Sequence, residues 1–465
     1  MRRKVRRKQE QGFALLMALI ALTMLAILVT DLHETTGMSF SAATAQRDQL
    51  RAEFMAKSGV NLTRMLIGQE KNVRQMLAPM FSMVTGGRPP PQLPMWRMAN
   101  ALLRPFADFE AAKIDLLDTG IDVENSKGLG DQIGSFEVKA CNESGKINLN
   151  DPRMQDLAVS QAHVSTQLYG LFGGYLPSPN KYDPLFTQYD QKGRLTTRFD
   201  MIANIIDWWD EDQARGEFDP LMHVMKAGGA EDNEFYRGLP EPYMIKNAPF
   251  DTLEELRLVR GMSDDIWATF IEPDVDDPDS RQVTVWGGSR LNPNEADPML
   301  LLSRVCTMEE IRDQLLCNDP SGQEPMKFVQ LLMTIRTITQ GQLPIFSRPG
   351  DFTNFVLGKD GIYTQLKKMF GGDGAGGGMG MLFGGGAAGS LMFKPPVLTN
   401  PNIEPGFKKA FTTTGYVFTL EVTGKAGSAQ RRIRTVINTD PKWTPPKPNA
   451  GKPPPLGVFA YYRLD

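Results

Sequence analysis

Carboxylates crowd two short stretches of this 465-residue chain. One reads Asp207-Trp208-Trp209-Asp210-Glu211-Asp212 and the other Gly229-Ala230-Glu231-Asp232. Asp207 and Asp210 stand three apart, which places them on one face if they end a helix. Clustered carboxylates and backbone carbonyls are what a hard cation needs, since calcium takes about six to eight oxygen ligands. Asp207, Asp210, Asp212, Glu231 and Asp232 are therefore the candidate metal ligands. They do not spell an EF-hand. A loop begun at Asp210 puts Ala214 fifth and Leu221 twelfth, where that loop needs oxygens. A solvated acidic loop is the alternative reading of the same residues. The run Asp274-Val275-Asp276-Asp277-Pro278-Asp279 is a rival cluster that reads as a turn.

Other chemistries have less behind them. His33, His163 and His223 are scattered without ligand spacing and no Gly-x-Ser-x-Gly is present, so a non-enzyme is expected. Three cysteines are too few for a disulfide scaffold and none lies in a Cys-x-x-Cys. In an exported chain Cys306 and Cys317 could be bridged with Cys141 left over; three buried thiols are the other reading. Leu253–Phe270 has the look of a helix-hairpin-helix, which offers turn amides to DNA phosphates. Gly261 is followed by Met262 and Ser263 rather than a second glycine, and Asp264 and Asp265 would repel phosphate. A net charge of −3 agrees, so nucleic acid is not expected as a partner. The glycine-rich Gly371–Gly389 has no terminal Gly-Lys-Ser/Thr and reads as a linker, as does the proline-rich Pro441–Pro455.

The elements that must position these residues begin at a membrane. Arg2, Arg3, Lys4, Arg6, Arg7 and Lys8 precede an apolar run, Phe13–Val29, broken only by Thr23. At about 1.5 Å per residue the run spans roughly 26 Å as a helix, near the short end for a bilayer crossing. It is longer than the apolar core of a cleavable signal, about 7–15 residues, and no small-x-small site follows it. Basic residues before it and Asp31 and Glu34 after it keep the N-terminus cytoplasmic and export the rest. Helical periodicity continues through Leu62, Met65, Leu66, Val73, Met76 and Leu77, fails at Pro79 and ends at Gly86–Pro91. Ile133–Ala140 and Lys146–Asn150 read as strands about an Asn142–Gly145 turn. Tyr416–Val422, Arg432–Asn438 and Val458–Arg463 read as further strands, and roughly 151–345 as mainly helical. The economical fold is α+β: one antiparallel sheet against a long N-terminal helix, interrupted by a large helical insertion.

The join at Gln11-Gly12-Phe13-Ala14-Leu15-Leu16 resembles the processing site of type IV pilins and their relatives. That resemblance implies cleavage by a prepilin peptidase after Gly12 and N-methylation of Phe13. Removing residues 1–12, with six basic side chains and one acidic, would take the net charge from −3 to −8. Most relatives carry Glu at the fifth mature position; here it is Met17. A pilin lacking that Glu resembles the minor pseudopilin K family of type II secretion systems, the general secretion pathway protein K family. Further pieces resemble that family in order: Gly145-Lys146-Ile147-Asn148-Leu149-Asn150, the acidic stretches with Tyr236, Leu253-Glu254-Glu255-Leu256, Val259-Arg260-Gly261-Met262 and Leu291-Asn292-Pro293-Asn294.

The resemblance implies a pilin-like fold with an inserted α-domain and calcium within the insert. The expected layout is a leader at 1–12, membrane helix at 13–31, helix and first sheet part at 32–150, insertion at 151–345, and glycine-rich segment with returning sheet at 346–465. The implied role is structural: a minor pseudopilin initiating or capping the pseudopilus in the inner membrane and periplasm, beside minor pseudopilins I and J and other secretion-system components. A minor pilin of a type IV or competence pilus would share the leader without the insertion. An anchored periplasmic DNA-binding module would need a basic face this sequence does not advertise.

Overall fold

The computed structural model describes residues 2–85, 87, 89–107, 134–150, 156–190, 192–338, 344–359, 361–370, 392–397, 403–440 and 456–465. Gly371–Gly389 and Pro441–Pro455 lie outside these residues.

With no breaker before Pro79, the N-terminal chain forms one helix, Arg2–Thr85. Its 84 residues give a length on the order of 125 Å. The helix runs through Pro79, where periodicity predicts failure, because one proline removes one amide hydrogen bond while its neighbours keep theirs. Every residue from Phe13 to Leu32 is exposed, and among the described residues this is the one helix long and apolar enough to cross a membrane.

The strands, numbered in chain order, are β1 Ser135–Asn142, β2 Ile147–Asn148, β3 Gln188–Tyr189, β4 Leu195–Thr196, β5 Ala214–Asp219, β6 Val224–Ala230, β7 Val283–Thr284, β8 Val417–Ala426, β9 Ala429–Asn438 and β10 Val458–Leu464. The main sheet has the order β1-β8-β9-β10 and is antiparallel throughout. Its first strand therefore pairs with one that follows the whole insertion, which is the predicted interruption. The predicted partner strand at Lys146–Asn150 is a correction. Glu143–Gly145 forms a turn of 3-10 helix instead, and β2 leaves the sheet to pair in parallel with β7.

Ala52, Met55, Ala56, Val60, Thr63 and Ile67 are the buried helix face, packed with Phe136, Val138, Leu420, Val422 and Ile433 of the sheet. Met65 and Met76, which periodicity put on the apolar stripe, are exposed. Backbone proximity decides which face is buried. A Cβ on Gly59 would lie 2.7 Å from Val422 Cγ1, and one on Gly424 would collide with the Ala52 carbonyl oxygen and the Ala56 amide nitrogen. Those are main-chain atoms of a long helix and cannot step aside. Gly424→Ala should cost about 1–3 kcal/mol or somewhat more, read as a lower urea midpoint. Gly350→Ala, whose Cβ meets nothing within 4 Å, is the control. Equal midpoints for the two variants would show that helix and strand are not in such close contact.

Between β1 and β8 lies a second core. It gathers Leu168, Ile202, Ile205, Trp208, Leu301 and Leu332 from the helices Leu157–Leu171, Arg198–Trp209, Pro298–Cys306 and Gln323–Ile338. The stretch is less purely helical than predicted, for it carries the hairpins β3–β4 and β5–β6. Phe346, Phe352, Phe355, Phe393, Phe407 and Phe411, each at most 1% exposed, belong to the same core. The packed body thus continues beyond residue 345 to Phe411, because these rings find their apolar neighbours there.

Candidate functional site

The helix Arg198–Trp209 starts on a capping box, in which Thr197 and Asp200 exchange side-chain and backbone hydrogen bonds. Met201, Ile202, Ile205 and Ile206 bury it in the second core. Its final turn delivers Asp207, and Asp210 caps its end with the backbone amide on Ile206 O. Both acids sit at the negative end of a helix dipole, where cations are favoured and carboxylates are not. Hairpin β5–β6 then carries the chain away and back, returning Glu231 beside Asp212, with its amide on Gln213 O at 3.2 Å.

One carboxylate oxygen from each of Asp210, Asp212 and Glu231 lies within 4.8 Å of the others. That separation is about twice a calcium–oxygen bond of roughly 2.4 Å. Their hydrogen-bond partners are neutral. Gln161 donates Nε2 to Asp210 Oδ2 at 2.8 Å, Ala214 donates its amide to Asp212 Oδ1 at 2.8 Å, and Asn247 donates Nδ2 to both Glu231 oxygens at 3.2–3.3 Å. Asp210 is 1% exposed, yet its Oδ1 has no hydrogen-bond partner, and neither has the buried Asn247 Oδ1.

Electrostatics say the same. Burial first, then repulsion from Asp212, Asp207 and Glu231, pushes Asp210 up to about 8 against the pull of Gln161. Burial, opposed by the Gly216 amide and reinforced by Glu231 and Asp212, raises Asp207 to about 7. Burial and Asp212 raise Glu231, though Asn247 and Asn233 pull the other way. A buried carboxylate group with unused oxygens is a donor set short of positive charge. It fits a hard, oxygen-seeking cation.

Of the five predicted ligands, three converge. Asp207 stands beside them but accepts from the Gly216 amide at 2.9 Å. Asp232 does not join: it caps the helix Asn233–Arg237 and ion-pairs with Arg260 at 2.7 Å. Sequence reasoning missed Gln161 and Asn247. Gln161 comes from a helix remote in sequence, and Asn247, in the left-handed region at φ 44°, carried no signal beyond its residue type.

The remaining candidates fall as follows. Asp274–Asp279 is a turn in which Asp279 faces Arg97 at 3.3 Å and Asp276 faces Arg432 at 3.6 Å. The hairpin at 253–270 is a 3-10 turn, Leu253–Leu258, then Gly261 at φ 84°, then helix from Asp264. Asp264 and Asp265 are exposed beside that turn. Cys306 and Cys317 are bonded, with Cα atoms 5.6 Å apart, and Cys141 is a buried free thiol. Gly12 and Phe13 lie within the N-terminal helix, with Phe13 exposed.

Residues 196–272, which hold all five acids and the helical hairpin, match the family model described as type II secretion system (T2SS), protein K. The match takes in 77 of the 465 residues. No curated protein matches it. A chain of the GspK–GspI–GspJ complex from the type 2 secretion system of enterotoxigenic Escherichia coli is similar in structure at 11% identity and a TM-score of 0.37, over 71% of this chain and 80% of that one. Within the matched segment, the acidic site spans the end of one helix and both ends of one hairpin. Folding of that segment is what brings the carboxylates together.

Proposed function

We propose that this chain is a minor pseudopilin at the tip of the type II secretion pseudopilus. In this reading prepilin peptidase cuts between Gly12 and Phe13, Phe13 is methylated, and the apolar helix holds the body in the periplasm from a single inner-membrane anchor. The observation that carries it is the segment matching the protein K family model, set inside the interruption of a sheet that packs on a membrane-length N-terminal helix. The role is one of assembly rather than catalysis. A second body between β1 and β8 occupies the space a further subunit's head would need, so it suits the end of a filament. Met17 agrees: the family's fifth-position Glu pairs with a neighbour's amino terminus, and an end subunit can dispense with it. Minor pseudopilins I and J are the proposed partners. Calcium is the proposed cation, held by Asp210, Asp212 and Glu231 with Asp207 close by.

Mass spectrometry of the detergent-extracted assembly tests the reading in one experiment. The complex should contain one copy of this chain beside two smaller pilin-like partners, and the chain's own mass should begin at a methylated Phe13. Deleting roughly residues 151–411, the whole packed insertion, and rejoining the sheet should let association continue past the small complex. A homopolymer, a chain still carrying Met1–Gly12, or incorporation at the abundance of a major subunit would each overturn the assignment.

A further inference from the structure

The far end of hairpin β5–β6 borders a pocket of about 300 Å³, at the lower end of the range for small-ligand sites. Three loops build it: the turn after the helix Leu157–Leu171, the β5–β6 turn, and the segment that follows the bonded Cys317. Its walls are rings. Tyr169 and Tyr175 stack edge to face at 5.3 Å, Tyr175 and His223 stand 6.2 Å apart, and prolines close the remainder.

Among the polar groups on these walls, the Arg312 Nε and the Tyr175 hydroxyl are unused donors, while Ser178 is engaged by Asp183. Arg312 gives Nη1 to Met222 O at 2.8 Å, and its Nε has no hydrogen-bond partner, only Asp313 at 3.6 Å. Asp313 is 77% exposed in its side chain against 20% for Arg312, so the pair is weak and turned to solvent. The Tyr175 hydroxyl is also without a partner, and burial pushes it well above its ordinary range, so it remains a donor. His223 is held down to about 4 by burial and then by Arg312, leaving the ring neutral at pH 7. Asp319 offers no competition for Arg312. Its oxygens accept from the amides of Ser321, Gln323 and Glu324 at 2.9–3.0 Å, at the start of the helix Gln323–Ile338.

Aromatic walls, an under-used guanidinium and an orphaned hydroxyl complement one chemistry. The geometry points to a binding site for a carboxylate on an apolar stem, borne by a polypeptide as its C-terminal residue or as an acidic side chain. Arg312 is the group that meets the carboxylate, by the planar pairing guanidinium favours, and Tyr169 and Tyr175 hold the stem. The site uses none of the acids of the cation centre.

The chain has three histidines, so histidine-labelled full-length protein in detergent gives three ring signals. That of His223 is assigned by its loss in His223→Gln. Titration with N-acetylphenylalanine should shift the His223 signal alone and saturably, in the millimolar range expected of so small a ligand. N-acetylphenylalaninamide, the same molecule without the charge, should leave it in place. Arg312→Gln should weaken binding at least tenfold while the His33 and His163 signals stay put. If that variant fails to fold, Tyr175→Phe keeps the ring, removes the donor and should weaken binding about threefold. No saturable shift, equal response to the amide, or wild-type affinity in the folded variant overturns the site. Two octapeptides separate the sources: a free C-terminal phenylalanine, and an amidated chain with one internal glutamate. Binding of the first alone assigns a chain terminus, binding of the second alone an acidic side chain, and binding of neither overturns the polypeptide ligand.

Discussion

Millimolar calcium should raise the melting temperature of the detergent-solubilised chain by about 5–10 °C over its value in chelator. The estimate follows from mass action: free ligand at about 100 times its dissociation constant adds about 2.7 kcal/mol, and one kcal/mol moves a domain of this size by about 2–4 °C. Without a cation, Asp210, Asp212 and Glu231 repel one another at the negative end of a helix. Asp210→Asn should then behave in a telling way. It replaces a carboxyl whose charged form burial and its acidic neighbours disfavour, so its stability in chelator should equal or exceed that of the parent, while the calcium increment largely disappears. Asparagine keeps an acceptor oxygen for Gln161 Nε2, so a residue whose role was only to hydrogen-bond Gln161 would leave the calcium increment unchanged in this variant. A parent chain that melts at the same temperature with and without calcium rejects the metal assignment.

Lys146→Ala should be among the most destabilising single substitutions, at about 3–5 kcal/mol. Lys146 and Glu143 are 6% and 4% exposed and pair at 3.0 Å. Lys146 also donates to Pro278 O at 2.8 Å and to Cys141 Sγ at 3.1 Å, and Thr419 of β8 donates to Glu143 at 2.6 Å. Burial works against the Lys146 charge, but Cys141 and Glu143 outweigh it and its pKa is raised. Burial likewise opposes the Glu143 charge and is outweighed by Lys146, Thr284 and Thr419, so its pKa is lowered. Burial drives the Cys141 thiol up, which keeps it protonated at neutral pH and leaves Glu143 as the charge partner of Lys146. The cluster ties the end of β1 and the face of β8 to the inserted body. Removing the lysine strands a buried carboxylate. The double variant Lys146→Met with Glu143→Gln removes both charges and should recover most of the loss, and denaturation midpoints of single and double variants decide it. Additive losses would mean that the two side chains act separately. Because the Glu143 pKa is lowered in the folded state, its contribution is full above the ordinary glutamate range and fades as acid titrates it through that lowered value.

Local chemistry made much of this protein legible from residues alone. The apolar run from Phe13 to Val29 needs no partner to declare itself, since its length and lack of charge are properties of consecutive residues. Alternation announced β8, and the start of β8 and the end of β9 fall within a residue of where the sequence put them, but both strands run on further than read, to a tight turn at Gly427. The acidic stretches marked the candidate cation site because carboxylates close in sequence are conspicuous. Matters between distant segments were different. Which face of the long helix is buried was decided by Gly59 and Gly424, glycines whose value lies in what comes close to them rather than in their own conformation. The strand expected at Lys146–Asn150 went to β7 because Glu143 and Lys146 pair with each other and turn the chain into the inserted body. Asp232 is a strong ligand candidate by type, yet Arg260, 28 residues further on, claims it at 2.7 Å. Gln161 and Asn247 entered the site without any local signal at all. Residue type and near-neighbour spacing determine which elements form and which chemistry is at hand; contacts between segments far apart in sequence, a matter of backbone approach and charge pairing, decide which of those residues meet.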